Sequence, residues 1–247
     1  MTIRLYGTCA AWGLPDVSTF VTKVDCYLRM MKLPYTLVSL LGENFTRTVA
    51  RWSSGELAMR PKGKFPYVED RGTVVADSSF IIDYVKATYG DNLGEVTQKP
   101  EERGIALSVR RMVEEHLYWV IVYSCWMEDA VWEDYCRLAF GPLAPTELMA
   151  IREGVRGDLY AQGLGRHTRA EVYELGNADL SALSAYLGDK PYALGEKPTE
   201  LDATVYAFLA RVLWCPYESP LKTHANTLLN LERYCQRMHT RYYSDSN

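Results

Sequence analysis

The chain has 247 residues, 48% of them hydrophobic, and a formal net charge of -4. That length carries one large domain or two small ones with a real core, and the apolar content excludes a disordered chain. The acidic balance argues against a nucleic-acid binder, and no stretch approaches the roughly 18 consecutive apolar residues of a membrane span.

Ile3 to Tyr6 is short and apolar, which predicts a buried strand. The opening residues run straight into it, so no signal peptide is expected. A loop carrying Trp12-Gly13-Leu14-Pro15 follows. From Ser18 onward Phe20, Val21, Val24, Tyr27, Leu28 and Met31 recur near three and four, which predicts a helix that Leu33-Pro34 stops. Tyr35 to Leu40 is β-branched and aromatic enough for a second strand. Phe45 to Trp52 reads as a short, irregular helix. The sequon Asn44-Phe45-Thr46 is taken as chance in a cytosolic protein.

Two strands follow, at 66–69 and 73–76, with Asp70-Arg71-Gly72 as turn residues. A helix runs from Ser78 to Tyr89, with Gly90 as a natural C-terminal cap. The order β-α-β-α-β-β-α joins a parallel crossover to an antiparallel hairpin. This is a thioredoxin-like α/β domain over residues 1–90. Residues 91–99 are polar and read as a linker. From 100 to 247 the chain reads as an all-α domain, with helices near 101–127, 145–162, 169–188, 200–214 and 221–240. Breaks fall at Gly141-Pro142, Gly163-Leu164-Gly165, Gly188 and Pro216, and Thr199-Glu200-Leu201-Asp202 resembles a capping box.

Cys9, Cys26, Cys125, Cys136, Cys215 and Cys235 show no pairing rhythm. That usage fits a reducing, cytoplasmic compartment.

The segment Lys64-Phe65-Pro66-Tyr67 places a proline just before a strand, where it cannot donate to the ladder. With a cis bond the chain reverses there and offers the backbone of Phe65 to an extended peptide. Asp77-Ser78 at a helix start offers a carboxylate, a hydroxyl and open first-turn N–H groups. The carboxylate suits an amine and the N–H groups suit a carboxylate. Together these are anchors for a small peptide such as glutathione.

Gly63-Lys64-Phe65-Pro66-Tyr67-Val68-Glu69-Asp70 and Ala76-Asp77-Ser78-Ser79-Phe80-Ile81-Ile82, set in this domain order, resemble the glutathione transferase superfamily over nearly the whole chain. Ala11-Trp12-Gly13-Leu14-Pro15, Tyr27-Leu28-Arg29-Met30 with Leu33-Pro34-Tyr35, and Leu194-Gly195-Glu196-Lys197-Pro198-Thr199 with Leu201-Asp202-Ala203-Thr204 look like its failed-axon-connections or metaxin-like branch. The resemblance implies a homodimeric glutathione transferase that conjugates the thiolate to a small hydrophobic electrophile. Lys64, Phe65, Pro66, Asp77 and Ser78 would hold glutathione. Eukaryotic members of the branch include membrane-linked, non-enzymatic relatives, so a binding or assembly module without catalysis is the alternative. A glutathione-dependent isomerase or peroxidase is a further one.

A free thiol has a pKa near about 8.5, so only a few per cent is ionised at neutral pH. Lowering it by about two units contributes roughly 2.7 kcal/mol to the thiolate. A hydroxyl donor and a helix N-terminus both do this. Ser18 opens the first helix and resembles the serine of serine-type transferases. Thr19 is a second hydroxyl candidate, Tyr6 a competing phenol, and Cys9 a thiol in the neighbouring loop. Neither Ser18 nor Val21 is a cysteine and no Cys-x-x-Cys occurs, so thiol–disulfide chemistry by a protein cysteine is not expected.

The stretch from His116 to Trp126 is aromatic all round, which makes most of it core. Trp119, Tyr123 and Trp126 share a face that suits an apolar electrophile, with Trp12 opposite. Tyr118 or Tyr123 would give a proton to an opening epoxide oxygen. His116 reads as structural. No His-x-x-x-His, P-loop or Gly-x-Ser-x-Gly string occurs, so neither a metal nor a nucleotide is expected.

Overall fold

In the computed structural model of the chain, residues 2–44, 46, 61–93, 99–141 and 143–244 are described. The expected helix from Phe45 to Trp52 lies almost entirely outside these residues, as do Phe45 of the sequon and most of the linker.

The short apolar run at the start becomes β1 (Ile3–Gly7), which pairs in parallel with β2 (Tyr35–Ser39), Leu5 standing opposite Leu37. Parallel neighbours need a crossover, and α1 (Thr19–Met30) supplies it. β3 (Tyr67–Asp70) runs antiparallel to β1, and β4 (Thr73–Ala76) antiparallel to β3, giving the order β2-β1-β3-β4. Arg71 and Gly72 turn this hairpin with φ of 51° and 83°, the two positive values that a tight two-residue turn requires. The Phe65-Pro66 peptide ahead of β3 is cis. α2 (Ser78–Tyr89) closes the α/β half.

The helical half begins with one long rod. α3 (Pro100–Arg111) runs through a π-helical turn, Met112–Leu117, into α4 (Tyr118–Trp126). π turns shift the register of a helix and cluster at functional sites. α5 (Trp132–Phe140) was not anticipated. It is nine residues long and buries only Cys136 and Ala139, too little for a periodic signal. α6 (Pro145–Gln162), α7 (Arg169–Leu187) and α8 (Glu200–Trp214) follow the apolar spacing. The expected single helix at 221–240 is instead two, α9 (Pro220–Thr227) and α10 (Leu229–Tyr243). Leu228 between them has φ -99° and ψ 72°, outside the helical region, after the poor helix formers Asn226 and Thr227.

α8 is the spine. Every residue from Glu200 to Leu213 is buried, and α1, α3 and α10 all pack on it. The Asp202 carboxylate near its start accepts from the N–H groups of Ala193 (2.7 Å) and Thr199 (2.8 Å) and from the Tyr234 hydroxyl (2.7 Å). The sequence-predicted box therefore closes with aspartate in the third position. One apolar cluster takes in Leu5, Val24 and Ile82 from the α/β half and Phe208 and Met238 from the helical half. No helix among the described residues is long and apolar enough to cross a membrane.

Candidate functional site

A cleft of about 760 Å³ separates the two halves. The tip of α1 (Ser18, Thr19, Phe20), the cis-proline loop (Lys64, Phe65, Pro66) and the start of α2 (Asp77 to Phe80) form one wall. Tyr118, Trp119, Val122 and Trp126 of the rod, with Tyr135 and Phe140 of α5, form the other. Arg211 of α8 lies at its floor. Ser18, Thr19, Lys64, Phe65, Pro66, Asp77, Ser78, Tyr118, Trp119 and Trp126, all singled out in the sequence, therefore meet here. Trp12 and Tyr123 do not line the cleft. The Trp12 ring lies on the Arg211 guanidinium at 4.4 Å and edge-on to Tyr217 at 5.7 Å. Tyr123 turns to the side of the rod facing α7 and meets Tyr173 edge-on at 5.9 Å. Tyr135 and Phe140 of α5 fill the wall instead.

The α1 tip is built around Asp16 rather than Ser18. The buried Asp16 carboxylate accepts the N–H of Ser18 (2.8 Å), the N–H of Thr8 (2.7 Å) and the Thr8 hydroxyl. Arg211 Nε donates to the Val17 carbonyl at 3.1 Å. With the N-terminus held from both sides, the Ser18 hydroxyl makes no capping bond, and the buried Thr19 hydroxyl has no partner among the described residues. Ser18, which caps nothing, thus stands in the cleft wall at the positive end of a helix, with the buried Thr19 hydroxyl beside it.

Burial pushes the Asp16 carboxyl up to about 7, against its hydrogen bonds from Thr8 and Ser18. The unfolded carboxyl titrates near about 3.9. Below that both states hold the proton. Between there and about pH 7 the folded chain keeps a proton the unfolded chain has lost, so stability falls as pH rises, and above it falls no further. From about pH 5 to pH 7 the wild type is expected to lose roughly 1–3 kcal/mol relative to Asp16→Asn. Denaturant titrations of both proteins across that range check this. A constant difference would show that Asp16 does not titrate there.

Behind Ser78 lies a buried ion pair that sequence reading missed. Lys23 Nζ is 2.6 Å from Glu114 Oε1, with both side chains essentially inaccessible. The same ammonium donates to Ser78 Oγ at 3.3 Å. Ser78 is therefore left to donate its own O–H, which suits an anion. A lysine between Thr22 and Val24 on a buried helix face was the available signal. Asp77 accepts the Ser79 N–H at 2.9 Å, so its carboxylate also caps α2. Lys64 stands exposed on the rim, 3.7 Å from Asp158.

The competing thiol activators lie elsewhere. Tyr6 stacks on Tyr67 at 4.4 Å and donates to Glu69 at 2.8 Å, and burial with that bond pushes its phenol up to about 12. Cys9 contacts the Leu138 carbonyl at 3.7 Å, and burial pushes its thiol up to about 12. His116 pairs with Asp179 at 2.6 Å, a structural contact. Burial also raises the Tyr118 phenol, which keeps it a proton donor at neutral pH. Its ring packs edge-on against Phe20 at 4.9 Å. Among the described residues no cluster of three or more His, Cys, Asp or Glu is arranged to hold a metal.

Known proteins share this architecture. The family described as the glutathione S-transferase N-terminal domain matches residues 19–131, and the glutathione S-transferase C-terminal domain matches residues 176–238. An isoprene-epoxide–glutathione S-transferase of Rhodococcus sp. (strain AD45) is 35% identical, covering 97% of this chain and 99% of the relative. Failed axon connections of Drosophila melanogaster is 30% identical over 85% of this chain, which spans 50% of that longer protein. The crystal structure of glutathione transferase GSTFuA3 from Phanerochaete chrysosporium superposes with a TM-score of 0.67 at 15% identity, covering 99% of both chains. A thioredoxin-like half, an all-helical half and these matches across the full length identify the chain as a member of the glutathione S-transferase family, in the branch that includes failed axon connections and the metaxins.

Proposed function

We propose that the protein is a glutathione transferase that ionises the tripeptide at the α1 tip and delivers the thiolate to a small apolar epoxide. One observation carries the reading: Ser18, whose hydroxyl caps nothing, stands at a helix N-terminus in the same cleft as the cis-proline loop and an aromatic wall. The name of the 35% identical relative supports the epoxide.

In this mechanism the backbone beside Pro66 aligns the cysteinyl unit of glutathione. Ser78 donates to the γ-glutamyl carboxylate, Asp77 accepts from its amine, and Lys64 meets the glycine carboxylate from the rim. The thiol loses its proton to solvent. Ser18 and the first-turn N–H groups stabilise the sulfur anion. The thiolate attacks an epoxide carbon; the C–S bond forms as the C–O bond breaks, and the oxygen takes the Tyr118 proton. Trp119, Val122, Trp126 and Phe140 exclude water and hold the carbon chain close to the sulfur.

Glutathione consumption against a panel of epoxides, aryl halides and enones tests this. Turnover on epoxides is expected, and its absence would remove the epoxide assignment. Spectroscopic titration of bound glutathione tests the thiolate, with an apparent pKa well below that of the free thiol expected. An unshifted titration would favour a binding module over an enzyme.

A further inference from the structure

Arg211 is a buried cation on the floor of the cleft. It is 3% exposed and lines the cleft together with Val17, Ser18 and Tyr135. Its Nε donates to the Val17 carbonyl at 3.1 Å, and its Nη2 lies 3.0 Å from Cys125 Sγ. The rings of Trp12 and Tyr135 lie against it at 4.4 and 5.4 Å. None of these partners is a carboxylate, and among the described residues no Asp or Glu forms an ion pair with it. The buried acids are engaged elsewhere: Asp16 with Thr8 and Ser18, Glu114 with Lys23, and Glu200 with Lys86 and Arg110. A guanidinium taken out of water calls for a counter-charge. The cleft that it lines is where a ligand can bring one.

The cation is placed with respect to the α1 tip. The Val17–Ser18 peptide is gripped at both of its polar atoms. Its carbonyl accepts from Arg211, and its N–H donates to Asp16 at 2.8 Å. The guanidinium is therefore bonded to the very peptide group that opens α1, one residue from the Ser18 hydroxyl. An anion held at Ser18 would meet the helix N-terminus and this fixed charge together. Buried charges are little screened by salt, so the second contribution would persist in physiological buffer. The other titratable groups around Arg211 are Cys125 on α4, Tyr135 on α5 and Cys215 just after α8, with Asp16 across the peptide.

We propose that Arg211 is the counter-charge of the glutathione sulfur anion, so that the cleft prefers the thiolate to the thiol and to neutral thioethers. The inference rests on the transferase reading and assigns to α8 a share of the work given there to α1. Arg211 acts through its field, needs no contact with the sulfur, and keeps its own proton throughout. The device also favours release. Once the sulfur is alkylated it carries no charge, and the conjugate no longer gains from the cation that held the substrate.

Titration calorimetry with glutathione and with S-methylglutathione, across the pH range in which the bound thiol ionises, is the test. In the wild type glutathione gains on S-methylglutathione as pH rises. Arg211→Gln keeps a donor for the Val17 carbonyl and loses the charge. It is expected to bind S-methylglutathione as the wild type does, and glutathione roughly five- to tenfold more weakly near about pH 8, as a rise of about one unit in the bound thiol pKa requires. Arg211→Lys restores most of the difference. Cys125→Ser/Cys215→Ser leaves it unchanged; a larger difference there would show a protein thiolate already paired with Arg211 and overturn the proposal. Equal weakening of both ligands in Arg211→Gln would reduce Arg211 to a prop for the α1 tip, and would overturn it too. Should Arg211→Gln not fold, the wild type decides by NMR. The Arg211 side-chain N–H resonances should follow the titration of bound glutathione and ignore pH with S-methylglutathione bound; the same response with both ligands overturns the proposal. A wild type that binds neither ligand removes the glutathione reading and this inference with it. A thiolate preference that survives in Arg211→Gln removes this inference alone.

Discussion

Ser18→Ala is expected to lower glutathione turnover by roughly 10- to 100-fold, the worth of a hydrogen bond to a charged group. The substitution removes the hydroxyl and leaves the α1 tip standing, because Asp16 and Arg211 hold that tip and the Ser18 side chain caps nothing. Melting temperature should hardly move. The apparent pKa of bound glutathione should rise by about one to two units, so activity recovers partly at higher pH. Rate–pH profiles and thiolate absorbance of the two proteins check this. Thr19→Val is the paired measurement. Should Thr19→Val cause the loss and Ser18→Ala leave both rate and thiol pKa unchanged, the roles pass to the buried threonine.

Lys23→Met is expected to carry the larger cost to stability, roughly 3–5 kcal/mol, because it leaves the Glu114 carboxylate buried without its partner. For a chain of this size that is a fall in melting temperature on the order of 10 °C. Glu114→Gln should cost nearly as much by stranding the ammonium. The double variant Lys23→Met/Glu114→Met removes both charges and should cost well under the sum of the single changes. Calorimetry on the three variants decides. Additive costs would show that the two side chains do not act as a pair. Because Lys23 also holds Ser78, Lys23→Met should weaken glutathione binding beyond its effect on stability. Titration calorimetry at a temperature where the variant is fully folded reads that part.

The α/β half was legible because its signals are local. Apolar runs, a proline before a strand, Arg71-Gly72 at a turn and Gly90 after a helix each fix their own few residues. The wall proposed to hold glutathione was legible for the same reason, since Lys64 to Pro66 and Asp77-Ser78 are contiguous strings. The floor and the α5 part of the opposite wall were not. Lys23, Glu114, Asp16 and Arg211 are charged residues in apolar surroundings, and their partners are set by tertiary packing. Tyr123 turns toward α7 while Trp119 and Trp126 line the cleft, and Tyr135 and Phe140 went unseen because α5 buries too little for a periodic signal.

The apolar cluster that runs unbroken from Leu5 to Met238 has a mechanical consequence. With α8 wedged into both halves, neither can swing away from the other without exposing that shared interior, so the ligand groove is a rigid seam and not a hinge. An isolated fragment of residues 1–90, deprived of α8, would lack half of its own lining and should fail to melt cooperatively.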